Sequence, residues 1–238
     1  MKENVRQYYI KSEHFTRYLM SDKRRVKNIK DIYKTNKRYF GKNVLDICCG
    51  GGILGFIIEP NGHKYLGIDI NPDMINNAKK YAKTVKSKAR FVLADVSKNQ
   101  IKGKFNTITL IGNALIHFNT YEFLNIMKNL KKNYKKGTYF IIDYRDVVEL
   151  LFKKQWKDKM IEKNKGKTVI SLTTGCDTNK GEIYKSASER SGKNRIIFKH
   201  TIWSPFIIEP LMKTLGWKLV KRKRIERWQG WIDVYKKV

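Results

Sequence analysis

No apolar run in the 238-residue chain is long enough to span a bilayer, and its opening stretch, MKENVRQYYIKSEHF, lacks the apolar core of a signal peptide. A cytoplasmic protein is therefore expected, with no membrane partner. Cysteine is scarce. Cys48 and Cys49 are adjacent and Cys176 is distant, which gives neither a metal-ligand spacing nor a disulfide framework. All three are read as reduced thiols, and no metal is expected. Internal repeats and flexible linkers are also missing. A chain of this length accommodates one α/β domain with a small insertion, whereas two independent domains would be cramped.

Acidic residues are few: 21 Asp and Glu face 51 Lys and Arg, a formal net charge of +30. With 41% hydrophobic and 12% aromatic residues the chain lies well outside the disordered range, so this charge sits on a folded body. Such an excess favours anionic partners such as RNA. The lysines are nevertheless spread through nearly every segment and are frequent together with Asn and Ile. Nucleotide composition or a hot, salty cytoplasm produces the same bias. The densest tract, Lys221-Arg222-Lys223-Arg224 with Arg227, is the best local candidate for an anion-binding stripe, its alternative being the solvated face of a strand.

Residues 1–40 carry aromatics at helix-like spacing (Tyr8, Tyr9, Phe15, Tyr18, Tyr33, Phe40) among basic residues, and are read as two helices forming an N-terminal lid. From residue 43 strands and helices alternate. NVLDIC, KYLGID, RFVLAD, FNTITLI and TYFIIDY read as five strands. Between them lie a glycine turn with a helix to about Ile58, a helix opened by Asn71-Pro72, and a helix YEFLNIMKNLKKNYKK ended by Gly137. That order predicts a doubly wound, mostly parallel α/β sheet with helices on both faces. After Arg145 the rhythm changes: TVISLTT, EIYKSAS and NRIIFKHTIW follow in series, predicting a small antiparallel β-rich insertion over 150–203 that caps the substrate. SPFIIEPLMKTLGW reads as a helix opened by Ser204 and Pro205, and KLVKRKRI and GWIDVYKK as two closing strands, seven in the main sheet of a single 1–238 domain.

Gly50, Gly52 and Gly55 satisfy GxGxxG at a strand-to-helix turn, and Asp69 lies 19 residues after Gly50, where a dinucleotide site places its ribose-binding acid. Alone, the motif fits NAD. Its neighbours argue otherwise, because VLDICCGGG, with Asp46 just before the turn, resembles the first motif of class I S-adenosylmethionine-dependent methyltransferases, and GIDINPDMINNAKKYA resembles their second. The resemblance implies a Rossmann-like fold and S-adenosylmethionine as cofactor. It gives Asp69 the ribose hydroxyls, sets Met74 near the adenine, and gives Asp95, in LADV, the adenine amino group. Asp46, Cys48, Gly50, Gly52, Ile70, Ala94, Val96 and Ile111 complete the implied cofactor site. The cofactor carries no phosphate, so the turn need only admit the backbone close to its amino-acid and ribose portions. A helix cap is the alternative for Asp69 and a core position for Met74. Cys48 stands where the family usually has glycine.

IGNALIHF after the fourth strand, IDYRD after the fifth, and YLMSDKRR near the start resemble glycine and sarcosine N-methyltransferases over roughly residues 18–145. Carried over, Arg145 pairs with a substrate carboxylate, Asn113 accepts from the substrate amine, Arg24 holds the cofactor carboxylate, Tyr18 closes the site, and His117 is available to take a proton. The competing readings are a surface ion pair with Asp146 for Arg145, a turn former for Asn113 and a satisfied core histidine for His117. The function expected is N-methylation of a small amine or amino acid. An RNA methyltransferase is the alternative, supported by the charge and the aromatic N-terminus, although no appended RNA-binding module and no Asn-Pro-Pro-aromatic tetrad is found. A non-enzymatic S-adenosylmethionine-binding protein is the third reading, and the oligomeric state is left open.

Overall fold

A computed structural model describes residues 20–164, 167–192, 195–226 and 229–238. Tyr8, Tyr9, Phe15 and Tyr18 lie outside the described residues, as does Arg227. The described chain runs α1 (Lys23–Asn36), β1 (Asn43–Ile47), α2 (Ile53–Ile58), β2 (Lys64–Asp69), α3 (Pro72–Thr84), β3 (Arg90–Leu93), β4 (Thr107–Leu110), α4 (Thr120–Asn129) and β5 (Tyr139–Arg145). It continues with α5 (Val147–Phe152), β6 (Lys159–Asn164), β7 (Lys167–Asp177), β8 (Glu182–Glu189), β9 (Ile196–Thr201), α6 (Pro205–Thr214), β10 (Trp217–Ile225) and β11 (Gly230–Lys237). No described helix is long and apolar enough to cross a membrane.

Seven strands form one sheet in the order β10-β11-β5-β4-β1-β2-β3, parallel from β5 to β3, with β11 antiparallel to both β5 and β10. The parallel centre is covered on both faces, which is why β1 and β4 are buried almost throughout. Alternation divides their side chains between two cores: Leu45, Ile47, Ile108 and Phe140 on one face, Val44, Ile141, Ile232 and Val234 on the other. Chain order reverses between β1 and β4, so the crevice beyond their carboxyl ends is where an open α/β sheet offers a ligand site.

The second sheet, β6-β7-β8-β9, is wholly antiparallel. It is pinned to the main body by Trp203, fully buried just after β9. Its indole Nε1 donates to Phe118 O at 3.0 Å and its ring meets Phe123 edge-on at 5.7 Å.

Three local expectations change. The helix after β4 stops at Asn129, followed by a 3-10 turn over Leu130–Asn133, instead of running on to Gly137. Buried Asn133 draws the chain away, its Nδ2 donating to Ile101 O (2.7 Å) and Gly103 O (2.9 Å) while its own carbonyl accepts from Phe105 N. Second, a helix precedes the antiparallel sheet: Asp146 Oδ1 accepts from Glu149 N at 3.1 Å and so caps α5, whose Val147 and Leu150 are buried. Third, Ser204 opens α6 with backbone and not with its hydroxyl, since its carbonyl accepts from Ile207 N and Ile208 N.

Three of the four residues Lys221–Arg224 have internal partners. Lys221 Nζ donates to Thr35 O and Asn36 Oδ1, tying β10 to the end of α1. Arg222 grips buried Asp233 through two parallel hydrogen bonds of 2.8 Å, and Tyr144 and Tyr235 donate to the same carboxylate. Arg224 pairs with Glu149 and stacks over Trp231 at 4.9 Å. Of the four, Lys223 alone is exposed.

Candidate active site

Four strand ends build the site. After β1 the chain turns through Cys48 (φ 58°), Gly50 (φ 55°) and Gly52 (φ 78°) before α2 begins. The glycine usual at position 48 in the resembling family has a clear reason, since the backbone there is left-handed. Cysteine adopts that conformation at a cost of about 1 kcal/mol. Gly52 is needed for packing and lies off the pocket wall: a Cβ there would come within 2.2 Å of the Phe91 ring. Burial, with Asp69 and Asp46 nearby, pushes the Cys48 and Cys49 thiols well up, so neither is a reactive thiolate.

At the end of β2, Asp69 Oδ2 accepts from Gly50 N at 2.7 Å and Oδ1 from Asn71 N at 2.9 Å. Burial raises its pKa, with those N–H groups opposing. The cap of α3 is Asn71, whose Oδ1 accepts from Asp73 N and Met74 N, so Asp69 is not the helix cap. Met74 is both buried and on the pocket wall. Beyond β3, burial alone would raise Asp95, but the Ser97 N–H and hydroxyl donate to its Oδ1 at 2.9 and 2.6 Å and hold it below its ordinary value.

Asp46 lies within β1, 4% exposed, its two oxygens accepting from Tyr65 OH (2.7 Å) and Thr109 Oγ1 (2.6 Å). Burial pushes it up to about 7; the hydroxyls oppose that, and Asp69 and Asp143 add to it. Asp143, in the middle of β5, fixes the turn after β4: its Oδ1 accepts from Gly112 N and Asn113 N, both at 2.7 Å, and burial raises it to about 6. Arg25 Nη2 donates to Gly112 O on the other side of that turn at 3.2 Å.

These ends enclose one cleft. Of the residues expected to form the site, Asp46, Cys48, Gly50, Asp69, Ile70, Met74, Ala94, Asp95, Val96, Ile111 and His117 line it. Gly52, Asn113 and Arg145 do not, and neither does Arg24. Arg24 is exposed, and its neighbour Arg25 lines the cleft instead, because Arg25 shares a helix face with Ile29, four residues on, which also lines it. Asn113 is a turn residue (φ 62°) whose Oδ1 accepts from Arg145 N at 3.1 Å, so a substrate amine would share that oxygen. Arg145 is half-buried at the end of β5, and burial lowers its pKa. Asp146 directs its carboxylate to Glu149 N and Trp231 Nε1. His117 stands at the far end, held neutral by burial with its pKa down to about 4, and meets His200 of β9 edge-on at 5.7 Å.

Asp46, Asp69 and Asp95 thus line the cleft, and Asp143 lies close enough behind it to act on Asp46. Such a lining repels a pyrophosphate and suits a cation. The sulfonium and ammonium of S-adenosylmethionine match it, with Asp69 and Asp95 at the strand tips to receive hydroxyl and amino donors.

A family model described as a methyltransferase domain matches residues 40–196, and the chain belongs to that family. Its seven-stranded fold is that of the class I S-adenosylmethionine-dependent methyltransferases. The structure is similar to a S-adenosylmethionine-dependent methyltransferase from Clostridium acetobutylicum ATCC 824 (TM-score 0.75, 18% identity, 96% of this chain and 98% of that one). It is also similar to the PH0226 protein from Pyrococcus horikoshii OT3 (TM-score 0.74, 23% identity, 98% and 99%). Over 82 residues the chain is 28% identical to the mitochondrial ubiquinone biosynthesis O-methyltransferase of Schizosaccharomyces pombe, a match spanning 33% of this chain and 30% of that protein.

Proposed function

We propose that the protein methylates the nitrogen of a small amine or amino acid, such as glycine or sarcosine, using S-adenosylmethionine. Asp69 receives the ribose hydroxyls, Asp95 the adenine amino group, and the turn Cys48–Gly52 lies along the methionine portion, with Arg25 in place of Arg24 toward its carboxylate. When bound, the cofactor supplies an electrophilic methyl group on a cationic sulfur. The chain's own contribution is positioning and exclusion of water, which is what an in-line displacement needs. Burial keeps His117 neutral at physiological pH, so it adds no charge beside an incoming amine.

The observation that carries this reading is Arg145: a half-buried guanidinium at the C-terminal end of β5, whose own N–H is tied to the Asn113 turn above the cleft. It suits the carboxylate of an amino acid. The test is transfer of tritiated methyl to glycine, sarcosine and methylamine. Turnover of the two amino acids, with a loss of at least tenfold in Arg145→Ala, supports it; turnover indifferent to that variant sinks it. A second reading, RNA methylation, draws on the +30 charge, although the tract Lys221–Arg224 is largely occupied by internal partners. Binding to bulk tRNA that falls steeply with salt would favour it.

A further inference from the structure

We propose that the antiparallel sheet completes the acceptor site, with Lys185 of β8 and His200 of β9 joining Arg145 and His117 in a corner that binds an anionic oxygen group, carboxylate or phosphate, of the methyl acceptor. This rests on the methyltransferase reading and extends it to residues the main sheet does not contain.

The two sheet residues share a face. Ile183 pairs with His200 and Lys185 with Phe198, and directly opposed residues of an antiparallel pair project to the same side. Ile183, Lys185 and Phe198 are all at most 4% exposed, whereas Leu172 and Ile197 on the opposite face are open to solvent. The face bearing Lys185 and His200 is therefore the one turned to the body. There His200 meets His117, which lines the cofactor cleft. The junction is fixed by neighbouring residues: Trp203, three positions beyond His200, donates to the carbonyl of Phe118, one position beyond His117.

A lysine this deeply buried is costly, and the fold sets it 4.9 Å from the Trp156 ring. The charges acting on His200 are His117, Lys185 and Arg145, all basic, and together with burial they hold the imidazole neutral. The cleft is thus polarised. Asp46, Asp69 and Asp95 line its cofactor end, while behind His117 stand His200 and the basic groups that act on it, so an acceptor with an anionic group orients that group toward β8 and β9 and its nucleophile toward the cofactor.

The test uses imidazole NMR of the full chain, which has four histidines, with His200→Gln to assign the resonance. Sodium acetate, inorganic phosphate and methylammonium chloride are titrated at pH 7 and matched ionic strength. The expected result is a saturable shift of the His200 and His117 signals by acetate or phosphate, the tighter anion naming the group, and none by methylammonium. Lys185→Met, which keeps the contact with Trp156 and removes a buried charge, should weaken that anion at least tenfold. No saturable shift in the wild-type protein overturns the proposal without recourse to any variant, as does unchanged affinity in a folded Lys185→Met. Methylation of glycine with no anion effect at His200 defeats this inference alone; anion binding there with no amine methylated defeats the amine reading and leaves the anion corner standing.

Discussion

Asp46→Asn should make the protein more stable at high pH while weakening its hold on the cofactor. Burial raises the wild-type carboxyl from its ordinary 3.8 to about 7 in the folded chain. A carboxyl raised on folding favours the native state while protonated, so stability is full below pH 3.8 and is lost as pH climbs to 7. Three units amount to about 4 kcal/mol in all, and the two units between pH 5 and 7 to about 3 kcal/mol. Asparagine does not titrate. The stability difference between variant and wild type should therefore widen by about 3 kcal/mol from pH 5 to pH 8, roughly 6–12 °C in Tm for a chain of this size. Other titrating groups cancel in that difference. At pH 8 the variant should bind S-adenosylmethionine at least tenfold more weakly by calorimetry, with a smaller loss for the demethylated product, which lacks the sulfonium charge. A variant less stable than wild type at pH 8, or a difference independent of pH, would refute the reasoning, because the apo carboxylate would then already be compensated.

Asp69→Asn removes a charged acceptor from Gly50 N and Asn71 N and, on the proposed reading, from the ribose; at about 1.5–3 kcal/mol for such hydrogen bonds, cofactor affinity should fall roughly 10–100-fold in calorimetry, the fold being retained by circular dichroism. Trp203→Ala should destabilise the protein by about 3–5 kcal/mol in urea denaturation. In conditions where it still folds, its defect should fall on KM for the acceptor while cofactor affinity is kept, since Trp203 fastens the second sheet and touches none of the cofactor-facing acids.

Most of the residues that line the cleft were legible because they stand at or just beyond strand ends, so position along the chain is position in the cleft: Asp69 ends β2 and Asp95 follows β3. That Arg25 and not Arg24 lines the cleft was not legible because a motif match carries no helical phase, and the burial of Ile29 settles which arginine turns inward. DVVELLF conceals α5 because its two adjacent β-branched residues weaken the helical signal, and the Asp146 cap is what fixes the helix start. Lys185 and His200 carried no local signal. Strand pairing and the distant contact between Trp203 and Phe118, 85 residues apart, bring His200 against His117 of the cleft. Asp143 was equally hidden: an acid inside a buried strand has no pattern of its own until the Gly112–Asn113 turn folds onto it.

The chain leaves the main sheet after Arg145 and rejoins it at Trp217, and on the way out and back Val147 N donates to Trp203 O at 3.0 Å. That bond closes a neck from which the second sheet hangs, with further ties from Glu149 to Arg224 and from His200 to His117. A segment attached in this way is exchangeable where those few partners are kept: the second sheet could then be replaced by the equivalent stretch of a relative with little disturbance to the strand ends that line the cleft. What the enzyme methylates would then be a graftable property, inherited with one contiguous piece of coding sequence, while its methyl donor stays with the recipient.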